Sequence, residues 1–535
     1  MTAAQAAPRA LPRARARRRP PWPLLAVAVG VGLLAALPIA YLVIRALGGD
    51  AGTLGLLLRL RTLELIASTL VLGLGVGAGA VLLGVPLAWL TVRTDLPGRR
   101  LWAILVIAPL AVPSYLLAFA AVGALGPRGW VGELLAPLGV RGLPSVYGPV
   151  GALSVLILAT TPYVVLAVGA ALRRLDAATE EVARSLGDSP FAAARTAVVP
   201  VLAPAVGAGA LLAMLYAVSD FGAVSILRYD SLARAIHTQY RSSFDRAGAA
   251  ALALLLIVIA MALVWAEARV RRRAELRQPH GARRPAARVL LGRWRLPALA
   301  LCIAISGLSL ALPIATIAIW LVRGVGQGAA IDLDLTPLRD SLVLGGSAAL
   351  LAVAVALPLG WLIVQVRGRS GALVERMLYV VYAIPGIALA LAVVFFTLNV
   401  MPLLYQSLIA LVIALAVRYL VQPTGALRSP MLQVGPQTLE AARALGQGPA
   451  GVIRTIVLPL LRPGILAGAA LVFLSALKEL PLTLLVAPTG FSTLATEVWD
   501  AARDGFFTQA AVPAAMLLLV SLLSVGLLLR ADERG

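Results

Sequence analysis

Long apolar segments alternate with short polar ones along almost the whole chain. Twelve of the apolar segments are about 20 residues or longer, the length that a helix needs to cross roughly 30 Å of hydrocarbon. We therefore predict an all-α membrane protein of about twelve transmembrane helices, because only helices and closed barrels satisfy every backbone group in lipid. The predicted spans are residues 24–46, 65–92, 101–125, 148–173, 203–226, 248–268, 297–322, 341–366, 376–399, 405–428, 463–487 and 510–530.

The pattern of spans occurs twice. Residues 181–220 match residues 440–479 identically at 18 of 40 positions, with an offset of 259. Upstream, with an offset of 272, Pro113 matches Pro385. A repeat of this length indicates a tandem duplication. Because each half has an even number of spans, both copies enter the membrane in the same direction and are related by an axis along its normal.

The duplication divides the chain into a tail, two halves and a linker. A pathway between two such halves is the natural place for a substrate. The predicted divisions are a basic tail at 1–23, a first half at 24–268 (core 65–268, polar loop 178–204), a basic linker at 269–296, and a second half at 297–530 (core 341–530, polar loop 437–463).

Composition agrees with residence in a membrane. Hydrophobic residues make up 60% of the chain, charged residues 13%, and the mean hydropathy is +0.93, all outside the range of soluble domains. The net charge of +22 is distributed in four arginine clusters that fall on one side of the membrane. That side is the cytoplasm by the positive-inside rule, so both termini are expected there. Because this rule accounts for the positive charge, no nucleic-acid partner is predicted. The clusters span 9–19, 93–100, 269–295 and 367–376.

Several kinds of chemistry are excluded by the residues present. Cys302 is the only cysteine, so the chain has neither an intrachain disulfide nor a CxxC metal motif. Lys478 is the only lysine and lies in SALKELP, outside any GxxxxGK[ST] frame, so the chain is not a P-loop ATPase. No HExxH or GxSxG motif is present. We predict that the protein is not an enzyme and has no cofactor or resident metal.

Each half carries one polar segment after its fourth span. The second copy reads EAARALGQGPAGVIRTIVLPLLRPG from Glu440, and the first reads EVARSLGDSPFAAARTAVVPVLAPA from Glu181. Acid near the start favours a helix N-terminus, Gly446 permits the reversal that ends a short helix, and Pro449 can begin the next segment. We predict two short helices joined by a glycine turn along the membrane surface. For one copy alone an ordinary interfacial helix is the alternative; two matching copies on one side argue against it.

The second copy resembles the EAA loop of permease subunits of binding-protein-dependent ABC importers. The resemblance implies two tandem six-helix permease repeats, whose loops dock onto ATP-hydrolysing subunits. The matching residues are Glu440, Ala441, Ala442, Gly446, Ile456, Leu458 and Pro459. The first copy retains Glu181, Ala183, Gly187 and Pro200, but has Val182 for an alanine and Ala197 and Val199 where the pattern has isoleucine and leucine.

Partners follow from this resemblance. Two loops imply two copies of an ABC ATPase subunit on the cytoplasmic face, which the absence of a P-loop lysine also requires. The family further implies a periplasmic substrate-binding protein, surrounding membrane lipid and a multi-pass location in the bacterial inner membrane. A secondary transporter or channel is the alternative of another class, but it gives no reason for two matching docking loops.

Four charged residues within the spans are candidate pathway residues, because charge is costly in a membrane and is functional by default. Asp220 and Glu479 occupy equivalent positions in the fifth and eleventh spans, in the half of the membrane away from the loops. Pro481 is expected to kink or end the helix beside Glu479. Lys478 and Arg418 are the other two candidates. The structural alternative is that they are interhelical partners.

A second resemblance concerns the substrate. The segments FLSALKELPLTLLVAPTGFSTLATEVWD from Phe473 and YAVSDFGAVSILRYDSLARAIHTQYRSSFDR from Tyr216 resemble those of ferric-iron-type permeases, in which two permease halves are fused. This implies import of Fe(III). Thiamine permeases are similar in architecture, so thiamine, or another small solute such as polyamine or sulfate, is the alternative.

The loops on the far side from the EAA segments offer oxygen ligands, which ferric iron prefers. They also carry arginines that would repel a bare cation, so no iron ligands are assigned there. The oxygen ligands are Asp230, Tyr240 and Asp245, and the arginines are Arg228, Arg234, Arg241 and Arg246.

Overall fold

The computed structural model describes residues 22–48, 55–140, 142–175, 181, 185–187, 189, 192, 194–243, 245–276, 288–326, 334–365 and 369–533. Helices dominate these ranges, and Thr94 and Val289 form an isolated parallel β-bridge. The helices are α1 Trp22–Leu47, α2 Leu60–Arg93, α3 Arg99–Leu105, α4 Ser114–Leu125, α5 Trp130–Leu135, α6 Pro149–Arg173, α7 Val199–Ser219, α8 Gly222–Ile226, α9 Leu232–Arg241, α10 Arg246–Leu276, α11 Arg295–Ser306, α12 Leu312–Gly326, α13 Thr336–Gln365, α14 Arg369–Ala383, α15 Gly386–Val400, α16 Leu408–Tyr419, α17 Val421–Gln433, α18 Pro436–Ala444, α19 Pro449–Val452, α20 Leu458–Leu477, α21 Pro481–Val486, α22 Leu494–Asp504 and α23 Phe507–Glu533.

The number of membrane spans agrees with the prediction. In the described ranges, nine helices or continuous helical segments are long and apolar enough to cross a membrane, and three bent helix pairs bring the count to twelve. The predicted all-α fold of about twelve spans is therefore confirmed.

Three predicted spans are not the straight helices that apolar length alone suggested. The segments predicted at 101–125, 376–399 and 405–428 bend by 97°, 100° and 50°. Prolines explain the two sharper bends, because Pro113 and Pro385 have extended backbone and lie directly before α4 and α15. The helices that follow these prolines are buried on almost every side. This is why they are apolar all round and show no amphipathic pattern.

Two further spans are shorter than predicted. The segments predicted at 203–226 and 463–487 end as helices at Ser219 and Leu477, and short separate helices follow. Both long helices, α7 and α20, begin directly after the repeated polar loops. We call the face that carries these loops the EAA face, and the opposite face, toward which α7 and α20 run, the distal face.

The first span of each half packs against the other half. Helix α1 lies against α15 and α13 of the second half as well as α10. Helix α12 lies against α4 of the first half, where Trp320 Nε1 donates to the carbonyl oxygen of Gly123 at 3.2 Å. Thr316 on α12 also accepts a hydrogen bond from Trp130 Nε1 at 3.1 Å. The halves are therefore held together by exchanged helices as well as by a shared core.

Small residues let the helices within each half approach closely, as is usual where lipid removes the hydrophobic drive for association. Helix α20 packs along α17, and Gly468 faces Pro423 at the contact. A Cβ atom at Gly468 would lie 2.7 Å from the Cα atom of Pro423, which is too short for any real contact. Backbone cannot yield as a flexible side chain can, so only glycine fits there.

Replacing Gly468 with valine should destabilise the protein by about 1–3 kcal/mol through overpacking. The matched control is Gly526→Val on α23, where no atom lies within 4 Å of an added Cβ. Thermal unfolding of the purified protein in lipid nanodiscs measures the effect. A melting temperature for Gly468→Val equal to that of the control would contradict this account of the α17 and α20 contact.

Candidate functional site

The fifth span of the first half breaks at a carboxylate. Helix α7 ends at Ser219, and Asp220 Oδ1 then accepts hydrogen bonds from the backbone N–H groups of Ala223 at 2.9 Å and Val224 at 3.4 Å. These donors lie in the first turn of α8 and have no partner within the helix. Asp220 therefore caps a new helix at the point where the long one stops.

The second half repeats this break with different residues. Helix α20 ends at Leu477, Pro481 begins α21, and Glu479 Oε1 accepts from the backbone N–H of Leu482 at 3.4 Å. The expectation that Pro481 interrupts the helix beside Glu479 agrees with the structure. Glutamate is one methylene longer than aspartate, and its other oxygen reaches toward α16.

Each carboxylate also has a side-chain partner. The Ser114 hydroxyl, directly after the bend at Pro113, donates to Asp220 Oδ2. The Tyr419 hydroxyl donates to Glu479 Oε2, and Arg418 Nε lies 3.8 Å from the same oxygen. A buried carboxylate requires such partners, because leaving water without them is costly.

Arg418, the cation beside Glu479, also contacts the backbone between α14 and α15 of the second half. Arg418 Nη1 donates to the carbonyl oxygen of Ile384 at 2.9 Å, at the end of α14. Gly386 starts the next helix, and an added Cβ there would lie 2.9 Å from Glu479 Oε1 and 3.4 Å from Arg418 Nη2. Gly386 is the counterpart of Ser114 at the offset of 272, so the two halves support their carboxylates differently.

Lys478 connects the two halves. Its Nζ atom donates to the carbonyl oxygen of Leu110 at 2.8 Å, in the 3₁₀ turn Ala108–Ala111 of the first half. Its bond is to that backbone oxygen and not to neighbouring Glu479. The only lysine of the chain thus bonds to backbone across the interface between the halves.

A cavity of about 260 Å³ lies between the halves at this level. All four candidate pathway residues line it, so the structure brings together what the sequence had placed on three different segments. The sequence prediction did not include the tyrosines and serines of the lining. Their position in the sequence, near the repeated prolines and near Asp220 and Glu479, was the only feature that could have indicated them. The polar lining residues are Ser114, Tyr115, Tyr163, Tyr216, Ser219, Asp220, Tyr382, Arg418, Tyr419, Ser475, Lys478 and Glu479.

On the distal side, three rings from both halves cover the cavity. The ring of Phe221, which also lines the cavity, lies 4.9 Å from His237 and 5.7 Å from Trp499, measured between centroids. The rings of His237 and Trp499 are 5.8 Å apart. His237 lies on α9 of the first half and Trp499 on α22 of the second, so the two helices meet above the cavity. We call α9 and α22 the distal helices.

The distal helices are equivalent elements. The backbone N–H of Leu232 donates to Thr69 Oγ1 at 2.9 Å, and that of Leu494 donates to Ser341 Oγ at 2.9 Å. Ser231 and Thr493 cap the two helices through their hydroxyls in the same way. The shared anchors give an offset of 262, at which His237 corresponds to Trp499. Equivalent positions that touch each other lie on the axis relating the halves.

On the EAA face, the described part of the second loop has the predicted helix, turn and helix. Gly446 has a φ of +80° and separates α18 from α19, a conformation that glycine adopts most readily. Helix α18 starts at Pro436, so Glu440 is its fifth residue and lies beyond the first turn, contrary to the expectation of acid near the start. Glu440 and Ala441 are exposed, whereas Ala442 is buried.

The end of the loop runs directly into the long helix α20. A single π-helical turn spans Ile453–Val457, immediately before Leu458. Ile456 is half-buried, and Leu458 and Pro459 are exposed. One continuous helical segment of 29 residues, 449–477, therefore connects the loop to the region of Glu479.

The first loop has the same landmarks where it is described. Gly187 has a φ of +97°, and a π-helical turn spans Ala194–Val198, the same position as in the second loop at the offset of 259. Glu181 and Pro200 are exposed, while Ala183 lies outside the described residues. Leu186 and Leu445, which directly precede the two turn glycines, are each 82% exposed. Among the described residues of the loops, these two leucines are the most exposed of the large apolar side chains.

The sequence also matches known proteins. Residues 80–276 and 348–534 match the family described as "binding-protein-dependent transport system inner membrane component", and together they cover more than half of the chain. This chain belongs to that family. It is a multi-pass permease, not an enzyme, and the family implies a substrate-binding protein and ATPase subunits as partners.

Several relatives show how far the similarity extends. The permease is 33% identical over 516 residues to the Fe(3+)-transport system permease protein FbpB 2 of Haemophilus influenzae, covering 96% of this chain and 98% of that protein. It is 27% identical over 480 residues to the probable ABC transporter permease protein y4fN of Sinorhizobium fredii, covering 82% and 81%. The sulfate transport system permease protein CysT of Synechococcus elongatus is 29% identical over 187 residues, covering 34% of this chain and 66% of that protein.

His237 should make the stability of the permease depend on pH. Burial, together with the nearby positive charges of Arg241 and Arg503, lowers its pKa to about 4. Because the ordinary histidine pKa is about 6.5, the folded state with a neutral ring keeps its full stability above that pH. Stability is lost as the pH falls toward 4, where the ring must take up a proton between two arginines.

Thermal unfolding in nanodiscs between about pH 7.5 and pH 4.5 tests this titration. His237→Phe keeps a ring in place but cannot be protonated, so its melting temperature should fall less than that of the unmodified permease. His280→Gln, at the only other histidine of the chain, should behave like the unmodified permease. Parallel pH profiles for all three proteins would contradict the assignment.

Proposed function

We propose that the permease forms the translocation pathway of an importer for Fe(III), which a periplasmic binding protein delivers and separate ATPase subunits power. The observation that carries this proposal is the similarity to an Fe(3+)-transport permease over 96% of the chain, which includes both halves and the segment between them. The similarity to a sulfate permease is confined to about a third of the chain. The Fe(3+)-transport relative is therefore similar to both permease halves of this chain within one polypeptide.

The chemistry of the cavity supports an ion of this type. Ferric iron prefers hard oxygen ligands, and the lining supplies two carboxylates, five phenols and three serine hydroxyls. In the described part of the chain, Tyr115 OH and Ser219 Oγ are buried without a hydrogen-bond partner. These two oxygens are available to replace part of the hydration shell of a passing ion.

The carboxylates of the cavity are also arranged so that a bound ion can be released. Asp220 and Glu479 already accept hydrogen bonds from backbone and side-chain donors, and Arg418 and Lys478 offset their charge. A site for transport must bind strongly enough to admit the ion and weakly enough to let it leave. Engaged carboxylates beside two cations meet that requirement better than a set of free carboxylates would.

We further propose that the EAA face is cytoplasmic, together with both termini, as the arginine clusters favour. One ATPase subunit docks at each loop, through Glu181, Gly187 and Pro200 in the first copy and through the complete set from Glu440 to Pro459 in the second. The exposed Leu186 and Leu445 are the side chains best placed to enter a groove of the ATPase, because a large apolar side chain at the membrane surface otherwise faces water.

Alternating access then follows from the architecture. Closing of the ATPase subunits moves the loops, and α7 and α20 carry that movement about 30 Å to Asp220 and Glu479. The helix breaks at these residues connect to α8 and α21, above which the distal helices meet. Separation of Phe221, His237 and Trp499 opens the cavity toward the docked binding protein. Their return closes it before release on the cytoplasmic side.

Leu445→Asp should abolish import by uncoupling the ATPase while leaving the membrane fold intact. An aspartate at this position cannot be buried in an apolar groove without a large cost. Leu186→Asp should reduce import less, because the first loop is a degenerate copy. Gly446→Val should act like Leu445→Asp, since a β-branched residue disfavours the positive φ of the turn. Uptake in proteoliposomes and co-purification of the ATPase measure both effects.

The matched control is Leu290→Asp, an apolar residue that is 80% exposed and lies outside both loops. It should retain ATPase binding and import. If the permease with both Leu186→Asp and Leu445→Asp imports at the normal rate and retains its ATPase, the docking assignment is wrong.

The substrate is tested with the binding protein encoded beside this permease. Proteoliposomes containing the permease and its ATPase should take up radiolabelled iron when the binding protein is loaded with Fe(III), and the uptake should require ATP. The same vesicles should not take up thiamine or sulfate. Binding of thiamine and not Fe(III) by that protein would overturn the iron assignment while leaving the family unaffected.

A further inference from the structure

The two distal helices have the same fold but opposite charge. Residues 228–246 contain four arginines and two aspartates, a net charge of +2. The equivalent residues 490–508, at the offset of 262, contain three acids and one arginine, a net charge of −2. A duplicated element has thus kept its geometry while its charge has been reversed.

The charges of the first segment are only partly neutralised within it. Asp230 is paired on two sides, with Arg61 and Arg234, each at 2.7 Å. Asp245 accepts from Gln239 Nε2 and from the backbone N–H of Gly248, each at 2.9 Å. Both acids are therefore engaged locally. The remaining arginines, Arg228, Arg241 and Arg246, are exposed on the distal face.

The second segment carries its acids at positions that are neutral in the first segment. Asp500 and Asp504 are exposed and occupy the positions of Thr238 and Ser242 in the first segment. Arg503 pairs with Asp504 at 3.0 Å, which leaves Asp500 and Glu497 in excess. Partial burial, and the nearby charges of Glu497 and Asp504, raise the pKa of Asp500 against the opposing effects of Arg503 and Arg241. The acids are close enough to repel one another and would gain from a cationic partner.

No ion pair among the described residues joins these two segments across the halves, although the charge of Arg241 on α9 does act on Asp500 on α22. Among the described residues, the ion pairs that involve these segments lie within one half, as with Arg61 and Asp230, Arg234 and Asp230, or Arg503 and Asp504. The contact between the distal helices consists of the aromatic rings of His237 and Trp499. The exposed charges therefore remain available to a partner on the distal face.

We propose that this polarity makes the substrate-binding protein dock in one of two otherwise similar orientations, with an acidic lobe on Arg228, Arg241 and Arg246 and a basic lobe on Glu497, Asp500 and Asp504. The proposal rests on the proposed function, in which the distal face is periplasmic. Binding proteins of this kind have two lobes that close around the ligand. Two permease halves of the same fold give shape alone little means of distinguishing the lobes, whereas complementary charge steers association and fixes register.

Cross-linking of the complete importer tests the orientation. Cys302 is buried, so single cysteines introduced at exposed Ser243 or Gln509 report on the first and second half separately. Each is combined with the Fe(III)-loaded binding protein carrying one cysteine in either lobe. Ser243→Cys should cross-link to the acidic lobe and Gln509→Cys to the basic lobe, each with a preference of about tenfold or more at low salt.

A charge exchange then provides the decisive variant. Arg241→Glu and Arg246→Glu combined with Asp500→Arg and Asp504→Arg interchange the two net charges. The cross-linking preference should invert in this variant. An unchanged preference, or a binding protein whose two lobes carry the same surface charge, would overturn the proposal. Failure of every cross-link with the single-cysteine importers that keep the native charges would instead contradict the proposed function.

Association kinetics give a second measurement that does not require the fourfold variant. Arg241→Glu with Arg246→Glu should slow association of the binding protein about tenfold at low ionic strength, and the difference should shrink in high salt, where exposed charges are screened. The control is Arg128→Glu, an exposed arginine on the same face outside both segments, which should change the rate little. Equal rates for the double variant and the control would also overturn the proposal.

Discussion

The structure of this permease depends on the cost of keeping a carboxylate inside a membrane. Asp220 and Glu479 each interrupt a long helix, and each is stabilised by the free N–H groups of the short helix that follows. Their second oxygens require further donors, which Ser114 and Tyr419 supply from other elements. These donors reach the carboxylates because the preceding spans bend at proline or end nearby. The helix breaks, the bends and the cavity between the halves are therefore one connected arrangement.

Duplication supplied two copies of this arrangement, and the copies have diverged where function requires a difference. Both copies keep the glycine turn, the π-helical turn and the capped distal helix in the same places. They differ at other positions: one EAA loop is degenerate, the carboxylates have different donors, and the distal helices have opposite charge. A single chain can vary each half independently, which a dimer of identical subunits cannot. Asymmetry is thus built on a symmetric scaffold.

Much of the scaffold could be predicted because lipid imposes simple rules on sequence. Apolar length predicted the spans, and the repeat predicted equivalent halves. The sharp bends could not be predicted from length, because an apolar segment folded back inside the protein resembles one that crosses straight. Pro113 and Pro385 were visible as a repeated pair, but proline is also tolerated within straight membrane helices, as Pro86 and Pro358 show. Whether a proline bends a span depends on what packs around it.

The sequence by itself determined the family, the number of spans, the two repeated polar loops and the four charged residues of the interior, since each depends on local composition or on an internal match. Only the tertiary structure decided that Asp220, Arg418, Lys478 and Glu479 line one cavity, that Lys478 bonds to the opposite half, and that His237 meets Trp499 on the axis. These are contacts between residues far apart in the chain. Their formation depends on helix directions and on the bends that set them, which no local pattern specifies.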